Sequence, residues 1–165
     1  MSPLLAKRIG PDSISKLEAA ASRRYCEATV LRESGQLLGA AYLYGYVAEC
    51  RLGAAYFRLV GYRPNTEITI EARKRILAAA IQAKLMSAAP HDIAGWAQLL
   101  IATRKRRGTG YPAGLRHEII RKARALYARW RPNLRYRAIV PTLEEVAVVR
   151  ESAEWFEEHY RRLWS

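Results

Sequence analysis

The residues from Ala40 to Val60, AAYLYGYVAECRLGAAYFRLV, constrain the fold more than any others. They are apolar or aromatic at nearly every position, so a helix formed here has no wet side and belongs in the middle of a helical assembly. The uncharged part runs only from Gln36 to Ala48 before Glu49, Arg51 and Arg58 interrupt it. A membrane span needs about 20 largely uncharged residues, so a buried helix over about 36–61 is expected and no membrane partner. Gly39, Gly45 and Gly53 each cost such a helix about 1 kcal/mol relative to alanine, and are expected where neighbouring helices approach closely.

The rest of the chain has helical periodicity and no sustained apolar/polar alternation of the kind a half-buried strand shows. A first helix is expected from Ser15, whose spacing to Glu18 is that of a capping box, to about Gly35. A third covers about 69–86 with Arg73, Lys74 and Arg75 toward water, and is broken by Ser87 to Pro90. A fourth starts after Asp92, a good N-cap, and runs to about Thr103. The fifth, Leu115 to about Trp130, has Leu115, Ile119, Ala123, Leu126 and Trp130 on one stripe. Thr142 and Glu145 form a second capping-box pair before a last helix with Val146, Val149, Ala153, Phe156, Tyr160 and Leu163 at 3,4 spacing. The expectation is an all-α, up-and-down bundle of four to six helices around the apolar helix. At 165 residues, without repeat or linker, it is expected to be a single domain over 1–165.

Several function classes find no residues to carry them. Cys26 and Cys50 have no CxxC or Cys/His ligand spacing, and both are expected to be reduced, buried small hydrophobes. His91, His117 and His159 have no metal-ligand partner at helical spacing, so no metal and no cofactor is expected. RRGTGYPAG has glycines in a basic context but lacks the strand and spacing of a phosphate-binding fingerprint, and reads as a loop. The start, MSPLLAKRIGPDS, has no apolar run of signal-peptide length, which points to a cytoplasmic protein.

The charge is concentrated. The chain holds 28 Lys and Arg against 15 Asp and Glu, and between Arg104 and Arg137 lie twelve basic residues and one acid, Glu118. Tyr111, Tyr127, Trp130 and Tyr136 are interleaved with them. Arginine grips phosphates with paired N–H groups and aromatic rings stack bases, so RNA, DNA or a nucleotide is the expected partner. The candidate phosphate-binding residues are Arg104, Lys105, Arg106, Arg107, Arg116, Arg121, Arg124, Arg131 and Arg135. A solvated basic face is the plainer reading of the same run.

Glu49 is the one acid between Glu33 and Glu67, and shares a helical stripe with Tyr42, Tyr46, Gly53 and Tyr56. A buried carboxylate must meet a cation or hydrogen-bond donors, or take up a proton. It therefore either reaches water beside Arg51, forms a structural pin, or contacts a ligand directly. Arg135, just before the last helix, is the expected partner in a Glu49–Arg135 pin. His91 beside Asp92 reads as turn and capping chemistry, and His117 as exposed.

GYVAECRL on the apolar helix, HDIAGWAQLL opening a later one, and WRPNLRYRA before the last helix together resemble the HEPN domain family, the higher-eukaryote and prokaryote nucleotide-binding helical bundles. The likeness covers roughly 15–160. It implies a helical bundle, a homodimer, and a place in toxin-antitoxin, defence or nucleotidyltransferase-associated systems with an antitoxin or nucleotidyltransferase partner. Many members are metal-independent RNases using Arg and His four to six residues apart on a late helix. This chain departs from that pattern: no arginine stands at that spacing before His91, His117 or His159. Arg150 precedes His159 by nine residues, on the opposite side of a helix. The resemblance thus implies a nucleotide- or nucleic-acid-binding module inactive as an RNase. Two alternatives stand beside it: an RNase centre assembled across a dimer from Arg135, His159 and Tyr160, and a protein-interaction scaffold.

Overall fold

The computed structural model describes residues 11–89 and 91–165. The reading of the first ten residues, and the place of Pro90 in the break after the third helix, lie outside them. Among the described residues the regular structure is helical: α1 (Ile14–Glu33), α2 (Leu37–Leu59), α3 (Ile70–Gln82), α4 (Ile93–Arg106), α5 (Ala113–Arg129) and α6 (Leu143–His159). Short 3-10 turns cover Pro132–Tyr136 and Tyr160–Leu163. No described helix is long and apolar enough to cross a membrane.

α2 is the central element. Thirteen of its 23 residues are buried, against three of 17 in α5, so α2 is enclosed while α5 keeps a wet face. α1 returns along it as an antiparallel hairpin, with Thr29 bonded to Tyr44 at one end and Glu18 paired to Arg58 at the other. α6 runs beside both, antiparallel to α1, through Tyr25–Glu154 and Ser22–Glu157 hydrogen bonds. α5 brings Trp130 back to the first half of α2, and the expected up-and-down order holds.

The closest approach is at Gly45. A Cβ there would overlap the indole of Trp130, which is fully buried and donates from Nε1 to the Tyr42 carbonyl at 3.0 Å. Burying an indole removes about 150–250 Å² from water, worth roughly 4–6 kcal/mol at about 25 cal/mol per Å². Gly39 meets only the Leu31 side chain at 3.1 Å, and Gly53 has ordinary contact with Leu17 at 3.9 Å. Of the three glycines, one therefore carries the close packing.

The capping expectations divide. Thr142 and Glu145 form the complete reciprocal box at the start of α6. At α1, however, the N-cap is Ser13, whose side chain accepts from the Lys16 amide. Glu18 instead faces α2 and holds Arg58 through two 2.9 Å bonds; a long-range ion pair competes with local capping for the same carboxylate. α2 closes at Gly61, where φ is +98° and a side chain would be strained.

The expectation that both cysteines are buried is corrected at Cys26. Cys26 is exposed, because it lies on the outer side of α1. Cys50 is partly buried, and burial pushes its thiol up to about 12, which leaves it protonated and unreactive. Arg51 is 3% exposed and lies in the core. It makes a two-pronged pair with Glu157 at 2.8 and 2.5 Å, donates to the Ser22 hydroxyl oxygen at 2.8 Å, and covers the Tyr160 ring at 4.1 Å. This pair bolts α1, α2 and α6 together.

Candidate nucleotide-binding cleft

The loop after α3 is organised by Asp92. Its Oδ1 accepts from the Gly95 amide at 2.8 Å, capping α4, and its Oδ2 accepts from the Ser87 amide and hydroxyl at 2.8 and 2.7 Å. A Cβ at Gly95 would lie 2.7 Å from that carboxylate, so glycine is required for the turn to close. His91, one residue before the cap, is held at φ +59°, a left-handed conformation that costs a non-glycine residue roughly 1–2 kcal/mol. The cost is offset by what the ring then reaches.

His91 Nδ1 donates to Glu49, with the two carboxylate oxygens at 2.7 and 2.9 Å. The ring is flanked edge-on by Tyr46, with centroids 5.9 Å apart, and by Trp130 at 6.4 Å. The hydrogen bond to Glu49 raises the His91 pKa above 6.5; partial burial and the charges of Arg135 and Arg73 oppose the shift without reversing it. Burial, followed by the hydroxyl of Tyr42 at 3.2 Å, pushes the Tyr46 phenol upward, so it stays neutral.

The partner that answers Glu49 is His91, and the expected Glu49–Arg135 pin does not form. Glu49 points from mid-α2 toward the start of α4, whereas Arg135 lies on the 3-10 turn, exposed, its guanidinium 4.6 Å from the centre of the Tyr136 ring. The two still share a neighbourhood. His91 stands between two clefts: one of about 290 Å³ containing Glu49, Arg73 and Asp92, and one of about 440 Å³ containing Arg131, Arg135, Asn133, Tyr127 and Tyr136. In the larger cleft each arginine lies over a tyrosine, Arg131 being 3.7 Å from the centre of Tyr127.

The other candidate cations scatter. Arg104 is committed to the chain's own carbonyls, Thr109 at 2.7 Å and Ser165 at 2.6 Å, and lies over Tyr111. Arg121 is neutralised by Glu118 through bonds of 2.9 and 2.7 Å. Lys105, Arg106, Arg107, Arg116 and Arg124 are exposed, the first three at the end of α4 and the last two on α5. His159 is stacked on Trp155 at 4.8 Å, with Nδ1 against the Trp155 carbonyl at 3.0 Å, and Tyr160 is covered by Arg51. No hydrogen bond or ion pair joins Arg135 to either of them among the described residues. No group of three or more potential metal ligands occurs among those residues.

What the sequence missed here is the reach of His91. Its spacing to Asp92 signalled the turn, but nothing local signals a ring that crosses to Glu49, 42 residues away. Compared with protein-family models, curated proteins and solved structures, the chain matches none.

Proposed function

We propose that this chain is a HEPN-like helical module that binds a nucleotide or nucleic acid through the cleft formed by Arg131, Arg135, Tyr127, Tyr136 and His91. In the wider setting that the resemblance implies, it acts as a homodimer in a toxin-antitoxin or defence system and carries out no RNase chemistry. The observation that supports the reading is the pairing of guanidinium and ring in that one cleft, Arg131 on Tyr127 and Arg135 on Tyr136, beside a histidine whose charge is favoured by Glu49. Guanidinium groups offer paired N–H donors to phosphate, and tyrosine faces accept a base of any identity. The exposed Lys105, Arg106 and Arg107 at the end of α4, and Arg116 and Arg124 on α5, add basic surface outside that cleft.

Binding of a fluorescent single-stranded RNA or DNA should weaken steeply with salt, because each neutralised phosphate releases counterions. Arg131→Ala and Arg135→Ala should each weaken binding and lower the slope of log affinity against log salt by about 1. Arg121→Ala, whose guanidinium already belongs to Glu118, should change it little. Absence of binding to both nucleic acids at low salt would refute the proposal.

A second reading, a scaffold for an antitoxin or nucleotidyltransferase partner, is favoured by one observation. Tyr136, Ile139, Val140 and Leu143 leave 62–80% of their surface in water on one short segment.

A further inference from the structure

On the nucleic-acid reading a phosphate enters the His91 cleft, and the groups that meet there bear on which kind of phosphate it is. Glu49 occupies Nδ1 of His91 with both carboxylate oxygens, so that nitrogen is unavailable to a ligand. Nε2 has no hydrogen-bond partner among the described residues, and the ring is 37% exposed, at the wall of the larger cleft. Tyr46 and Trp130 set edge-on against the ring fix its plane. The same cleft contains Arg131 and Arg135, and no acid lines it among the described residues. Two guanidinium groups and a histidine ring, the ring backed by Glu49, thus border about 440 Å³, enough for a single nucleotide and small on the scale of ligand pockets.

We propose that this cleft takes a phosphomonoester, the terminal phosphate of a strand or of a free nucleotide, with His91 Nε2, Arg131 and Arg135 as its ligands and Tyr136 beside the base. The inference rests on the nucleic-acid reading and sharpens it. An internal phosphodiester carries one negative charge, whereas a terminal phosphate carries between one and a half and two near neutral pH, its second pKa being about 6. A cleft with two guanidinium groups and an imidazolium is better matched to the second.

The imidazolium makes the site proton-linked. The groups facing it are Glu49, Tyr46 and Tyr42 from α2, Arg73 from α3, Asp92 next in sequence, and Arg131, Arg135 and Tyr136 across the cleft. Because the His91 pKa is raised above 6.5, its positive charge is fully present below that value and is lost as pH rises through the raised one. Affinity for a phosphomonoester should therefore rise as the phosphate gains its second charge, then decline once His91 deprotonates. Glu49→Gln should move the decline to lower pH.

The test uses the full chain and three probes: a short oligonucleotide with a 5′-phosphate, the same strand with a 5′-hydroxyl, and adenosine monophosphate. The phosphorylated strand should bind about tenfold or more tightly than the hydroxyl strand, the worth of a charge-assisted hydrogen bond. His91→Gln should weaken the phosphorylated strand far more than the hydroxyl strand, so that the preference and its pH dependence are both lost. The His91 ring resonance, followed by NMR in the unmutated protein, should titrate at higher pH with the phosphorylated strand bound, since linkage is reciprocal. Displacement of the strand by adenosine monophosphate at similar concentration would identify the free nucleotide as ligand; failure to displace it would identify the strand end. Equal affinity for both strands overturns the proposal while leaving the nucleic-acid reading intact, and failure of all three probes to bind overturns both.

Discussion

At the scale of single residues, Gly45 and Arg51 show how two positions on one helix are fixed by partners far along the chain. Gly45 is glycine because Trp130 occupies the space a side chain would take, and the Trp130 indole is held there by its Nε1 hydrogen bond to the Tyr42 carbonyl one turn earlier on the same helix. Gly45→Ala improves helix propensity by about 1 kcal/mol, yet it should lower stability by about 1–3 kcal/mol because neither the backbone nor the buried ring can move aside cheaply. Chemical denaturation followed by tryptophan fluorescence measures the difference. A stability equal to or above that of the unmutated protein would show that the ring is not held there. Arg51 differs in kind: its charge is buried, so the Glu157 carboxylate, the Ser22 hydroxyl and the Tyr160 ring are all needed to replace water.

At the scale of elements, the helices are unequal. α2 touches α1, α4, α6 and the turn at Pro132–Tyr136, and its ends are tied by Glu18–Arg58 and by Trp130. α3 buries only Ala72 and Ala80, and is fastened at its start by the Thr69 cap and the Arg73–Asp12 pair. Between it and the bundle lies a groove of about 450 Å³ bordered by Tyr56, Tyr62, Ile76, Leu85 and Leu99. Sparse burial gives a low local opening free energy. In native-state hydrogen exchange, the α3 amides should exchange faster than those of α2 by orders of magnitude, at a free energy well below that of global unfolding. Equal protection in the two helices would contradict this. The Asp92 cap ties the His91 loop to the start of α4 through Ser87 and Gly95.

At the scale of the molecule, a formal charge of +13 on 165 residues means that folding brings like charges together. Salt should act in opposite directions on the two properties that depend on this charge. Raising ionic strength from about 10 mM to about 150 mM shortens the screening length from about 30 to about 8 Å. That should raise the melting temperature by roughly 2–4 °C, the shift that about 1 kcal/mol produces in a chain of this size. The same change should weaken nucleic-acid binding. A melting temperature that falls with salt would mean that the ion pairs, and not the repulsion, dominate the long-range electrostatics.

The sequence by itself determined the helices and the centre. Periodicity is a local property, so α2, α5 and α6 were legible to within a few residues, and an all-round apolar segment has one place to go in a bundle. The Thr142–Glu145 box and the Asp92 cap were legible for the same reason, each being closed within one helical turn. Trp130 was placed on the inner stripe of α5, and the glycines of α2 were expected to mark close packing, but the sequence did not say that Trp130 meets Gly45 rather than Gly39 or Gly53. Only the tertiary structure decided which charge answers which. Glu49 chose His91 over Arg135, Glu18 chose Arg58 over its own helix start, and Arg51 went inward to Glu157. In a chain with many arginines, sequence offers each carboxylate several partners of nearly equal chemistry. The helix packing that the apolar residues enforce leaves only one of them within reach.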